Sequence, residues 1–188
     1  MTVAGLVLAA GAGRRFGGPK ALVELDGERL VDRMVRVLRA GGCQPLVVVA
    51  GAVPLAVSGA TVVDNPDWRT GMGSSLRSGL AVLPDQASAA VVVLVDTPWI
   101  GPDAVDRLVQ AHATGAGLAV ATYAGVRGHP VLLGRTHWRG AAASAVGDSG
   151  ARTYLASNPN VVEVDCTGTG DPRDVDHPSQ IGGRSRGS

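Results

Sequence analysis

Five short apolar runs in the first two thirds of the chain show almost no alternation between polar and apolar residues. They are Val3 to Leu8 (VAGLVL), Pro45 to Ala50 (PLVVVA), Ala60 to Val63, Ala89 to Val95 (AAVVVLV) and Gly117 to Thr122 (GLAVAT). A strand with one wet face alternates, whereas a strand covered on both faces reads as a continuous apolar run. Amphipathic stretches lie between the runs. From Arg29 to Ala40, Leu30, Val31, Met34, Val35 and Leu38 share one helical face, with Arg33, Arg36 and Arg39 elsewhere, and Gly41-Gly42 supplies a stop. Pro102 to Ala113 repeats the design, with Pro102 in the first turn and Val105, Leu108 and Val109 as its stripe. Strands alternating with helices predict a parallel sheet with right-handed crossovers. The expected fold class is α/β: three layers, α/β/α, around a mostly parallel sheet, in a single domain over residues 1–178.

After Tyr123 the pattern loosens. His129 to Leu133 is expected to form a strand, Gly150 to Ala156 a short helix and Val161 to Val164 a last strand. Residues 179–188 (SQIGGRSRGS) are polar and glycine-rich and are expected to be a disordered tail.

Composition narrows the partners. Seventeen basic and sixteen acidic residues leave a net charge of +1 without a basic tract, which argues against a nucleic-acid binder. Three Trp, two Tyr and one Phe are too few for a base-stacking platform. No apolar run approaches the roughly 20 residues that span a bilayer, and Met-Thr-Val-Ala carries no basic n-region, so a cytoplasmic location without membrane contact is expected. Cys43 and Cys166 make neither a disulfide framework nor a zinc site.

Ligands of open α/β sheets bind outside the carboxyl ends of the strands, so the loops there carry the chemistry. The first runs from Leu8 to Lys20 (LAAGAGRRFGGPK). Its glycines and alanines let the backbone wrap closely around an anion, and Arg14, Arg15 and Lys20 add charge, which suits a polyphosphate. It is not the dinucleotide fingerprint, since Phe16 takes the third glycine position. Nor is it a Walker loop, since Pro19 parts Gly18 from Lys20 and Ala21 to Leu25 reads as extended. The second loop, Asp96-Thr97-Pro98-Trp99, places a carboxylate opposite the first, either as a magnesium ligand or as a turn cap. The third, Asp64 to Leu80, is rich in small hydroxyl and amide groups suited to a base or ribose, although Ser74 or Ser75 equally suits a helix N-cap. The fourth, Asp171 to Pro178, offers Asp174 and Asp176 at a spacing of two, as a further metal ligand or as a solvated acidic turn. The four histidines do not cluster and no Ser-His-Asp set is visible, which disfavours covalent nucleophilic catalysis.

Taken as an ordered set, these loops resemble the MobA-like NTP transferase family, and within it the molybdenum cofactor cytidylyltransferases. Leu8 to Lys20 is similar to the family's L-A-[AG]-G-x-x-x-R-x-G-x-x-K, Asp96-Thr-Pro98 to its D-x-P, and Gly128-His-Pro-Val131 to its G-[NH]-P-V. Gly147-Asp-Ser-Gly-Ala-Arg152 resembles the G-D-x-G-A-R of the cytidylyltransferase branch, and Asp174-Val-Asp-His-Pro178 the closing D-x-D-T-P. The resemblance implies a Rossmann-like nucleotidyltransferase fold and transfer of CMP from CTP, or GMP from GTP, to the terminal phosphate of molybdopterin. Another small phosphate acceptor, and a non-catalytic nucleotide- or cofactor-binding chaperone, are the alternatives. It further implies that Leu8, Ala9, Ala10, Gly11 and Gly13 hold the triphosphate and that Arg15 and Lys20 neutralise it. Asp64 and Ser75 would lie near base and ribose, Asp96 would bind Mg2+, and Asp176, with or without Asp174, would complete the metal site. Arg15, Lys20 and Asp96 are the implied catalytic residues, and a molybdoenzyme or its chaperone is the implied recipient. Ala10 matches the cytidylyltransferase form, whereas guanylyltransferases tend to read Leu-Ala-Gly-Gly. Thr97 stands where cytidylyltransferases usually carry Gln, so base choice stays open, and Ser179-Gln180 replaces the usual acidic pair after the closing proline.

Overall fold

A computed structural model describes residues 1–181. The expected strands form as β1 (Thr2–Leu8), β4 (Leu46–Ala50), β5 (Thr61–Asp64), β6 (Ala87–Leu94), β7 (Leu118–Tyr123) and β9 (Val161–Asp165), but β5, expected to be covered on both faces, lies at an edge of the sheet and has no buried residue. They are joined by β8 (Val126–Gly134) in one seven-stranded sheet of order β5-β4-β1-β6-β8-β7-β9. β5, β4, β1 and β6 run parallel, and β7 pairs parallel with β9. β8 is antiparallel to both neighbours, which makes the sheet mixed beyond β6. A two-residue link between β7 and β8 is not implied by an alternating pattern; the short turn at Ala124 and Gly125, both at positive φ, makes this pair a hairpin instead of a crossover.

Among the described residues five helices cover the sheet: α1 (Leu30–Ala40), α2 (Met72–Ala81), α3 (Pro102–Ala113), α4 (Arg135–Ser144) and α5 (Arg152–Ser157). Alternate residues of β1 face opposite layers. Val3 and Val7 join α1 and α3 in one core, while Ala4, Leu6 and Leu8 join α2, α4 and α5 in the other. The three-layer expectation therefore holds. α4 has no counterpart in the sequence-based expectation, because it buries only Trp138 and Ala141 and so shows little stripe. Between Lys20 and α1 the expected extended stretch is a 3-10 turn (Lys20–Leu22) followed by a small hairpin of β2 (Glu24–Leu25) and β3 (Glu28–Arg29). Asp26 and Gly27, both at positive φ, form its two-residue turn.

The two cores press close on the sheet. A Cβ at Gly79 of α2 would stand 2.5 Å from Leu6 Cδ1 and 2.8 Å from Cδ2, and Leu6 is fully buried. Leu6→Ala is expected to lower unfolding free energy by about 3 kcal/mol, read as a drop in urea midpoint without a change in slope.

Pro178–Gln180 closes the described chain as a 3-10 turn, so Ser179 and Gln180, expected in the tail, belong to it. The rest of the expected tail, residues 182–188, lies outside the described residues. Among the described residues no helix is long and apolar enough to cross a membrane. Both cysteines are buried and unpaired, and burial pushes the Cys43 thiol up to about 12.

Burial, with a smaller contribution from Arg152, pushes the imidazole of His129 down to about 4. The folded state thus resists taking up a proton that the unfolded chain accepts near pH 6.5, so stability is full at neutral pH and falls as pH drops through that interval. The loss at pH 5 is expected to reach about 2 kcal/mol. Urea unfolding at pH 7 and pH 5 measures it, and His129→Gln should remove this part of the pH dependence.

Candidate active site

From β1 the chain winds to β4 and β5 on one side, while β6 lies on the other, so the direction of winding reverses between β1 and β6. A cleft of about 660 Å³ opens there at the carboxyl ends, where an open α/β sheet offers two loops to one ligand. Its lining includes Leu8, Ala10, Gly11, Gly13, Arg15, Lys20, Ser75, Asp96 and Asp176. These nine expected site residues come from four separated segments.

The glycine loop has the form of an anion cradle. The Gly13 carbonyl accepts the N–H groups of Phe16, Gly17 and Gly18 at 2.9, 2.9 and 3.2 Å, which curls the loop back on itself. Among the described residues, no protein acceptor takes the N–H groups of Gly11, Ala12, Gly13, Arg14 or Arg15. Gly13 itself sits at φ 59, and a Cβ there would collide with the Gly18 carbonyl oxygen. Gly13→Ala therefore forces the loop open. Nucleotide affinity is expected to fall at least about tenfold, in line with about 1–3 kcal/mol of backbone strain, with the melting temperature nearly unchanged; calorimetry reads it.

Opposite the loop, Lys20 Nζ lies 3.0 Å from Asp96 Oδ2 and 3.4 Å from Asp176 Oδ1. The Lys20 side chain is 14% exposed, against 24% for Asp96 and 39% for Asp176. Asp96 lies in the turn that follows β6, two residues past its last position. Its loop is tied to α1 through Arg33, whose Nε donates to the Pro98 carbonyl at 2.7 Å. Asp174, the alternative partner, is exposed and does not line the cleft. Two carboxylates with oxygen-only donors suit a hard divalent cation completed by water or substrate phosphates. Among the described residues no third His, Cys, Asp or Glu joins them in a metal-holding group.

Two expected residues fall elsewhere. Asp64, last in the edge strand β5, is exposed and does not line the cleft. Its neighbour Asn65 turns inward instead, donating to Ser74 Oγ at 2.8 Å and Ser75 Oγ at 3.1 Å. Ala9 is buried beneath the loop, its N–H bonded to Val49. Ser74 is committed to the backbone, donating to the Asp67 and Gly71 carbonyls. Ser75 accepts from Asn65 and gives its own proton to no described protein group, which leaves it available to a ligand. Gly71 occupies the N-cap of α2 without a side-chain cap, so neither serine performs that task.

The cleft also contains residues that sequence reasoning did not assign to it: Trp68, Arg69, Met72 and Asp148. Arg69 stacks its guanidinium 4.6 Å from the Trp68 ring centroid. Asp148 accepts weakly from the Met72 N–H at 3.4 Å, at the start of α2. Arg14, Arg15 and Arg69 form no ion pair among the described residues, so three guanidinium groups line the cleft without a salt-bridge partner.

The family match covers most of the sheet and the cleft lining as far as Asp148, and Asp176 lies beyond it. Residues 5–162 match the MobA-like NTP transferase domain. The chain belongs to that family. It is an enzyme of the nucleotidyltransferase class, with a doubly wound, Rossmann-like fold. Nicotine blue oxidoreductase of Paenarthrobacter nicotinovorans is 36% identical to it over 194 residues, covering 95% of this chain and 94% of that protein. Molybdenum cofactor guanylyltransferase of Rhodobacter capsulatus is 34% identical over 115 residues, covering 59% of this chain and 60% of that one. Among solved structures, Rv0371c of Mycobacterium tuberculosis in complex with manganese superposes with a TM-score of 0.81 at 27% identity, over 98% of this chain and all of that one. A relative that aligns with almost the whole chain thus carries a redox name.

Proposed function

We propose that this MobA-like transferase moves CMP from CTP to the terminal phosphate of molybdopterin, releasing pyrophosphate, with Mg2+ as its divalent cation. The observation that carries the proposal is the Lys20 ammonium held between Asp96 and Asp176, facing a loop with five free backbone N–H groups. An acceptor phosphate oxygen would attack the α-phosphorus, and the bond to the bridging oxygen of the β-phosphate would break, leaving its electron pair on pyrophosphate. The acceptor is already ionised at neutral pH, so the protein needs no strong general base; positioning and charge neutralisation suffice.

The glycine loop would hold the phosphates through its N–H groups, and Arg14 and Arg15 would offset their charge. Lys20 would take up charge that grows on the α-phosphate and leaving group. A divalent cation on Asp96 and Asp176 supplies further neutralisation when bound. Ser75, with its unengaged proton, suits a hydroxyl or carbonyl of the nucleoside. Ala10 and the Gly147 to Arg152 segment favour CTP over GTP; the guanylyltransferase relative makes GTP the alternative.

One finding favours a second reading. The relative matched along almost the whole chain is named an oxidoreductase, and the glycine loop would suit the pyrophosphate of a pyridine dinucleotide as well as a triphosphate. Two carboxylates flanking Lys20 speak for transfer, because hydride movement has no need of a cation site. Neither cysteine lines the cleft, so a thiol couple does not operate there. Calorimetry with CTP, GTP, ATP and UTP in the presence of Mg2+, and with NADH and NADPH, separates these readings. CTP is expected to bind tightest; preference for GTP moves the protein to the sister reaction, and binding of a reduced dinucleotide alone favours the redox reading.

A further inference from the structure

The Asp176 carboxylate is carried on a strap, residues 166–180, that crosses the carboxyl edge of the sheet without joining it as a strand. Backbone bonds fix the strap to the loop after β6. Gly101 N–H meets the Thr169 carbonyl at 3.1 Å, Asp171 N–H the Trp99 carbonyl at 3.1 Å, and Val175 N–H the Asp96 carbonyl at 2.8 Å. Val175 is fully buried. Beyond it these attachments end. The N–H groups of Asp176 and His177 share one acceptor, Oε1 of Gln180, at 2.7 Å each. The Nε2 of the same side chain reaches the Asp174 carbonyl at 3.5 Å. The Gln180 backbone N–H closes the following turn on the His177 carbonyl at 3.0 Å, and the exposed side-chain amide of Gln180 reaches back past that turn to bind the backbone on both sides of Asp176.

We propose that Gln180 is a positioning residue for the Asp176 carboxylate, and through it sets the divalent-cation affinity of the cleft. The inference rests on the assignment of Asp96 and Asp176 as the cation's ligands. Asp176 is 39% exposed, and its one side-chain partner is Lys20 at 3.4 Å. Packing therefore does little to aim it, and the backbone conformation decides where the carboxylate points. A ligand held in place before binding loses less freedom when the cation arrives, which is the general effect of hydrogen-bonding partners behind metal ligands. Asp96 needs no such device, since its loop is held to the strap by the Val175 N–H on the Asp96 carbonyl and to α1 through Arg33.

The test is titration of Mn2+ alone into the full chain, followed by electron paramagnetic resonance. Gln180→Ala is expected to weaken Mn2+ binding about tenfold, at the lower end of the effect of such supporting residues, with an unchanged melting temperature because the side chain is exposed. Gln180→Glu is expected to restore affinity, because a carboxylate oxygen accepts the same two N–H groups. Asp176→Asn and Asp96→Asn serve as references and should both lose affinity. Wild-type affinity in Gln180→Ala, with loss in Asp176→Asn, would overturn the proposal and leave the ligand assignment standing. Equal weakening in the Ala and Glu variants would also overturn it, since the acceptor oxygen would then not matter. Wild-type affinity in Asp176→Asn would overturn the proposal and the ligand assignment together.

Discussion

Lys20→Ala is expected to lower kcat/KM for nucleotidyl transfer by about 10³-fold, the scale set by a single cation at a phosphoryl-transfer site. Most of the loss should appear in kcat, because charge on the α-phosphate and leaving oxygen grows toward the transition state and an interaction made mainly there changes the chemical step. The fold should survive. Lys20 contacts two partly exposed carboxylates, and pairs of that kind contribute about 1 kcal/mol or less. Removing the ammonium also takes away a competitor for the two carboxylates. Mn2+ should therefore bind Lys20→Ala at least as tightly as wild type while turnover is lost. Steady-state kinetics beside a metal titration makes the comparison, and loss of metal binding together with activity would show that Lys20 organises the carboxylates instead of acting on phosphate.

Asp96→Asn is expected to produce the opposite pairing. Its amide keeps the shape of the side chain and the backbone carbonyl that accepts from Val175, so the strap and the melting temperature should be preserved. The charge that attracts a cation is halved at the site, from two carboxylates to one. Metal affinity and turnover should fall together, with kcat/KM reduced about 10²–10³-fold, the usual scale for deleting one electrostatic contact to developing charge. Raising Mg2+ concentration should recover part of the rate in Asp96→Asn and none in Lys20→Ala. That difference in metal rescue separates a ligand from a cation that acts directly.

The central strands were legible because both faces of each are covered, and unalternated Val, Ala and Leu runs have few other uses. The glycine loop was legible for a related reason: small residues with three cations directly after the first strand leave little for them to do except hold an anion. Legibility failed where a contact depends on a chain reversal. β8 carries the same apolar residues as a parallel strand, and only the turn at Ala124 and Gly125 sets its direction. α4 buries two residues and relies on its neighbours for the rest of its packing. Asp64 and Asn65 differ by one position at the end of an edge strand, so the side chains face opposite ways and the amide, not the carboxylate, reaches the serines. Arg69 and Asp148 lie in segments the sequence singled out, the third loop and the Gly147 to Arg152 motif, but neither was assigned a role; they reach the cleft because the Asp67 to Thr70 turn and the Gly147–Ser149 turn both fold toward the start of α2. Gln180 reads as part of a polar tail, and its role follows from two N–H groups three and four residues upstream that meet one oxygen.

The most direct test is transfer itself: CTP labelled at the α-phosphorus, incubated with the protein, molybdopterin and Mg2+, followed by separation of labelled products. Label appearing on the pterin in equal amount with released pyrophosphate, and absent with Lys20→Ala, is the expected result. No transfer from CTP or GTP by folded, nucleotide-binding protein would contradict the account and place this cleft in the service of another reaction.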